Sequence, residues 1–103
     1  MTSTEVQEMV NADIGNDWSQ TNLHRVDLRT SVVSPPRQLA VVDVSTECEH
    51  VVWLVLEECR GGPGYGVVYS EADNAFGLVQ MAEGYVPCLL GIYGGFLDAF
   101  SAM

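Results

Sequence analysis

The chain has no lysine, and four arginines are its only strongly basic side chains against fourteen aspartates and glutamates. A formal net charge of −10 makes nucleic acid and anionic membrane poor partners, because both repel such a surface. Cysteine is scarce as well. Cys48, Cys59 and Cys88 are odd in number and match neither a secreted disulfide framework nor a paired metal knuckle, so buried free thiols are expected. No apolar run reaches the roughly 18 to 20 residues that span a bilayer. The opening residues, MTSTEVQEMV, are polar and acidic where a secretion signal is basic and then apolar, so the expectation is a soluble cytoplasmic protein.

Reactive motifs are equally sparse. Arg60-Gly61-Gly62-Pro63-Gly64-Tyr65-Gly66 has the glycines of a phosphate loop but lacks the Lys-Ser/Thr that grips the phosphates, and it misses the dinucleotide spacing. It reads as a flexible strand connection, with a mobile binding loop as the alternative. There is no G-x-S-x-G and no H-E-x-x-H. With two histidines, His24 and His50, a nucleophilic triad would need one of them in a role nothing nearby supports. No catalytic residue is assigned and no cofactor is expected.

What is present specifies a fold. A length of 103 residues is one domain, residues 1–103, and folding at this size hides roughly two-thirds of the unfolded surface. Thr2 and Glu5 have capping-box spacing, and Val6, Met9, Val10 and Ile14 recur at three and four residues, so residues 2–14 predict an amphipathic helix ended by Gly15. Trp18 lies in the polar stretch that follows and is expected to close over the sheet edge. Residues 23–33 alternate loosely, and residues 38–45 resume after Pro35-Pro36, which predicts two strands of a hairpin.

The centre of the chain is Val51-Val52-Trp53-Leu54-Val55-Leu56, an unbroken apolar run that fits a strand covered on both faces, with Trp53 in the core. Residues 65–69 and 76–81, joined by turn-forming residues 70–74, predict two further strands. After residues 82–84, residues 85–93 predict another. Phe96, Phe100 and Met103 share one face of a short terminal helix that follows Gly94-Gly95. The fold class is therefore α+β: a single antiparallel sheet of five to six strands flanked by an N-terminal helix and a short C-terminal helix. Helices covering one face would leave the other open, or meeting a second copy.

Several side chains qualify as candidates. Cys48 and His50 could open a metal site only if Glu57, Cys59 or His24 completed it, and a small turn leading into a strand is the competing reading, so no metal is assigned. Glu57 and Glu58 are consecutive on a strand, point to opposite faces and cannot act as a carboxylate pair. With Trp18, Arg60, Tyr65, Tyr69, Glu71 and Asp73, they form the candidate interaction surface. All four arginines lie at or before residue 60, so Glu71, Asp73, Glu83 and Asp98 have no later side-chain cation to offset them. A basic partner would be attracted at long range.

The succession Trp53-Leu54-Val55-Leu56-Glu57-Glu58, then GYGVVYSEADNAFGLVQ, then GIYGGFLDAFSAM resembles small uncharacterised bacterial proteins, some of them immunity proteins encoded beside polymorphic toxins. The resemblance covers about half of the chain and carries no binding residues onto these positions. It implies a non-enzymatic, partner-binding role. The leading expectation is thus a small acidic bacterial protein that binds another protein, in the manner of an inhibitor of a basic toxin. The alternatives are a small-molecule binder or minor enzyme using an open sheet face near Glu57, Glu58, Arg60 and Tyr65, and a structural homodimer.

Overall fold

The fold begins at Thr2, whose hydroxyl accepts from the Glu5 amide at 3.3 Å while Glu5 Oε1 accepts from the Thr2 amide at 3.1 Å. This reciprocal pair satisfies two amides at the mouth of helix α1, Ser3–Ile14. Val6, Val10 and Ile14 form its buried stripe, and Gly15, at φ 65°, supplies the left-handed turn that stops it. Thr2→Ala is expected to cost about 1 kcal/mol, the usual loss of an N-cap. Urea denaturation would show it as a lower midpoint at unchanged slope.

The protein, seen here as a computed structural model, is described over residues 1–22, 24–59, 63–82 and 84–103. After α1 come a short helix α2, Leu28–Ser31, then β1, Val32–Asp43, β2, Glu49–Glu57, β3, Gly64–Ser70, β4, Ala75–Met81, β5, Cys88–Gly94, and a closing helix α3, Phe96–Ser101. The α+β class and the two terminal helices agree with the sequence reading. No helix among the described residues is long and apolar enough to cross a membrane.

The hairpin expected before the central strand does not form. Within residues 23–33, Asp27 accepts from the Arg29 amide at 2.9 Å and nucleates α2. Only Val32 and Val33 of that span belong to a strand. The prolines then lie inside β1. Its pairing with β2 jumps from Val32 opposite Leu56 to Arg37 opposite Leu54, so Pro35 and Pro36 occupy a bulge where no ladder donor is needed. A proline pair that looked like a break is a kink in one long strand.

Five strands follow one another around a closed barrel in chain order. Successive strands alternate direction, so the fifth runs the same way as the first. The barrel accordingly closes through a parallel contact, Val42 beside Cys88 and Asp43 beside Leu89. The last strand begins at Cys88 rather than near residue 85, after a longer connection than a tight hairpin would have. Closure also corrects the expectation of an open second face, because that face has become the barrel interior.

Two cores result from this alternation of side chains. Val41, Val52, Leu54, Val68, Val79 and Leu89 fill the barrel. Val55, Leu56, Val67, Tyr69, Phe76 and Leu78 point outward and pack beneath α1 and α3, against Val6, Val10, Phe96 and Phe100. Both Val55 and Leu56 reach this outer core because the β2–β3 register slips between Leu54 and Leu56. That slip, with one face inside the barrel and Trp53, Val55 and Leu56 against the helix-covered core, is why the run from Val52 reads as apolar without alternation.

Trp53 corrects another expectation. It lies between two inward residues and so points out, half-buried at the edge of the helix-covered core, with its indole N–H donating to Glu71 Oε1 at 3.1 Å. The cysteines differ as well: Cys48 and Cys59 are exposed and Cys88 is half-buried, all as free thiols.

Candidate functional site

The C-terminal end of β2 carries the densest polar cluster. Glu57 is only 8% exposed and receives Arg37 Nη2 at 2.7 Å, a bond between the end of β2 and the residue that restarts the β1 ladder. Burying that carboxylate without a donor would be costly, so the arginine is its counterpart. Glu58 has different partners. Its Oε1 accepts from the Tyr65 amide at 3.1 Å, and its Oε2 lies 2.6 Å from His24 Nδ1.

His24 reaches Glu58 because Asn22 shapes the preceding turn. Asn22 Oδ1 accepts from the amides of His24 (3.1 Å) and Val26 (3.2 Å), while its Nδ2 donates to the Phe100 carbonyl at the end of α3 (2.9 Å). The His24 ring also lies against Tyr65, with ring centroids 5.3 Å apart. His24, within the span predicted as a strand, is therefore a tether between the α1–α2 connection and β3. The missed signal was Asn22, two residues before it and able to hold a turn.

Beside this cluster is a cleft of about 640 Å³, lined by Arg29, Thr30, Ser31, Val32, Val33, Ser34, Glu57 and Glu58. Ser34 Oγ in its wall accepts from the Gln7 side-chain amide at 2.7 Å, which ties α1 to the cleft. The cleft thus joins two chain segments that are remote in sequence, with α1 bonded to its wall. Its polar lining can offer carboxylate, guanidinium and hydroxyl groups to a small polar ligand.

The remaining candidates disperse. Tyr65 joins Glu57 and Glu58 at this end, whereas Arg60 lies outside the described residues. Tyr69 is buried in the outer core, its hydroxyl donating to Asn74 Oδ1 at 2.7 Å, so it presents nothing to solvent. Asp73 Oδ2 accepts from Ser70 Oγ at 2.8 Å within the β3–β4 turn. Trp18 packs half-buried against the outer core. The potential metal ligands separate too. Cys48 and His50 stand at the start of β2, and Glu57 at its end is seven residues beyond His50, or about 23 Å along a strand. No trio of metal-ligating side chains assembles among the described residues.

Glu71 caps the opposite end of the barrel. The Trp53 indole, followed by the N-terminal ammonium 3.5 Å away, holds its carboxyl below the ordinary glutamate range. A depressed carboxylate pKa contributes stability that is present above the unfolded-state value and lost as pH falls through the folded value. Trp53 should report the loss directly. Its fluorescence is expected to change along a single acid titration, with a midpoint below that of a free glutamate, and Glu71→Gln should abolish the transition. An unchanged titration in that variant would mean that the indole senses another group. Asp43 is lowered similarly by the hydroxyl and amide of Ser45, in the turn after β1.

Another surface is conspicuous for what leaves it uncovered. Helix α1 lies against β1 and β2 and α3 mainly against β4 and β5, but where the end of β1 meets the start of β5 the outward aliphatic side chains stay open. Val44, Val51, Val86 and Leu90 are exposed there. Comparison with protein-family models, with curated proteins and with solved structures finds no match for the chain.

Proposed function

We propose that this protein is a non-catalytic binding protein of the bacterial cytoplasm that engages a basic protein partner, in the manner of an immunity-type inhibitor of a basic toxin. The observation that carries this reading is the surplus of acidic side chains without a cationic partner within the described residues. Among the described residues, only Glu57 and Glu58 have side-chain ion-pair partners, Arg37 and His24, and Glu71 has the N-terminal ammonium. The other described carboxylates face solvent or cap turns and helix ends, so most of the −10 charge is free to steer a cationic protein. Three unpaired thiols fit a reducing compartment.

The test is affinity capture from the native host at low salt, followed by stepwise salt elution and reconstitution of the recovered complex from purified components. A stoichiometric complex with a protein of high isoelectric point, weakening as salt screens the charges, is the expected result. A neutral or acidic partner, or a complex indifferent to salt, would overturn the reading.

The cleft favours a second reading, a small-molecule binder using Glu57 and Glu58. Titration with a panel of small polar compounds, followed by amide chemical shifts, would then perturb residues 29–34 and 57–58 together, and Glu57→Gln would remove the response. Shifts scattered over the surface would reject that reading.

A further inference from the structure

We infer that the bare outer face of the β1–β5 seam is the docking surface for this partner, and that the partner meets it with an apolar ridge flanked by lysine or arginine. The inference rests on the reading above that the partner is a basic protein. Strand alternation defines the surface. Val41, Val52 and Leu89 point into the barrel, so their neighbours Ala40, Val42, Val51 and Cys88 face outward. Ala40 pairs with Val51, and Val42 lies between Glu49 on one side and Cys88 on the other. Val44 extends the row, its amide donating to the Leu89 carbonyl at 3.3 Å, which sets it beside Leu90.

The aliphatic groups of this face are unusually open, with Val51 65%, Val44 52% and Leu90 37% exposed. Single exposed aliphatics are ordinary, but a run across three adjoining strands is the kind of surface that partners cover. The same strands bury Val41, Val52, Leu54 and Leu89 inside the barrel, so the sequence is not short of places to bury a valine.

Charge selects the occupant. Glu49 faces outward in register with Val42, and Glu47 lies in the turn just before it. The described arginines are elsewhere. Arg25 and Arg29 precede β1, and Arg37 is turned to Glu57 about 17 Å along the strand from Val42, roughly two screening lengths at physiological salt. The rim thus carries Glu47 and Glu49 with no described arginine beside them. A second copy would bring Glu47 and Glu49 toward the same patch on another chain of net charge −10, whereas cationic residues around an apolar ridge would meet complementary charge.

The probe is a displayed library of random dodecapeptides, selected on the intact protein at low salt. Enriched peptides are expected to place lysine or arginine beside aliphatic or aromatic residues. Their affinity should fall about tenfold or more in Val51→Asp/Leu90→Asp, as for residues central to an interface, and stay within about twofold in Glu8→Gln, an exposed carboxylate of α1 next to Gln7, which bonds Ser34 near the start of β1. Because Val51 and Leu90 are exposed, the double variant should keep its circular dichroism and melting temperature. Basic peptides that bind the double variant equally well would remove this surface while leaving the basic-partner reading intact. Enrichment of acidic or uncharged peptides would count against both. No enrichment, or a dimer in light scattering that the double variant dissociates, would overturn the assignment of this face to a basic partner.

Discussion

Phe96→Ala is expected to be the most damaging single substitution in this chain, with a loss of about 3–5 kcal/mol. Phe96 is fully buried at the start of α3, edge-on to Phe76 at 5.8 Å and stacked with Phe100 at 6.2 Å. Removing the ring leaves a void between barrel and helix that neither neighbour can refill without leaving its own packing. The backbone there is also committed elsewhere: the Phe96 amide donates to Asp13 Oδ2 at 2.8 Å, and the Gly95 amide to Asp98 Oδ2 at 3.1 Å. These bonds hold the start of α3 against the end of α1, so collapse into the void is resisted. For a domain of this size the melting temperature should drop on the order of 15 °C or more.

Trp53→Ala provides the contrast. Although larger, its ring is half-exposed, and its hydrogen bond to Glu71 lies at the surface. A loss of about 1–3 kcal/mol is expected, combining partial apolar burial with one modest hydrogen bond. Thermal melts of the two variants side by side would settle the order. A greater loss at Trp53 would contradict its placement at the core edge.

Gly77→Ala should be the second severe change, and it acts by crowding rather than by loss. A methyl group at Gly77 would sit 2.6 Å from the Gly91 carbonyl oxygen, with Ile92 Cδ1 at 3.0 Å and Leu89 Cδ1 at 3.2 Å. The nearest atom is backbone of the neighbouring strand, so β4 and β5 would have to separate where their register already shifts. A cost of about 3 kcal/mol is expected, at the upper end of what overpacking usually exacts. Gly84 offers a control of another kind: nothing lies within 4 Å of its added carbon, but its φ of 80° disfavours alanine. Gly84→Ala should therefore cost only about 1 kcal/mol, through backbone strain alone. Equal losses at the two positions would mean that the space around Gly77 relaxes freely.

Local rules were legible wherever a residue's role depended on near neighbours. The capping box of Thr2 and Glu5, the stripe of Val6, Val10 and Ile14, and the turn after Ser70 each appear where spacing placed them. The central run also belongs to a strand, covered on both faces from Leu54 onward but open to solvent at Val51. Position within that strand was harder to judge: Trp53 looked like its centrepiece, yet alternation with Val52 and Leu54 turns it toward the rim. Hydrophobicity says that a side chain gains from burial, not which face the register will give it.

The candidate site was legible only in part. Glu57, Glu58 and Tyr65 come together as their nearness in sequence suggested. Arg37 and His24, which neutralise the two carboxylates, could not be found from spacing, because the barrel brings them in from twenty and thirty-four residues away. Tyr69 and Glu71, two residues apart, diverge: one is locked in the core and the other lies at the surface.

By itself, the order of residues determined an acidic chain without a recognisable catalytic constellation, two terminal helices, and strands with enough apolar surface for an α+β core. Those features follow from composition and from periods of two and 3.6, which act over a few residues. Tertiary structure alone decided that the sheet closes, that two prolines ride in a bulge rather than end a strand, and that the outward aliphatic residues where the end of β1 meets the start of β5 stay exposed. Each depends on which distant strands meet and in what register. Two terminal helices can shield only part of a barrel's circumference, so closure, by fixing where they lie, also chose the face left bare.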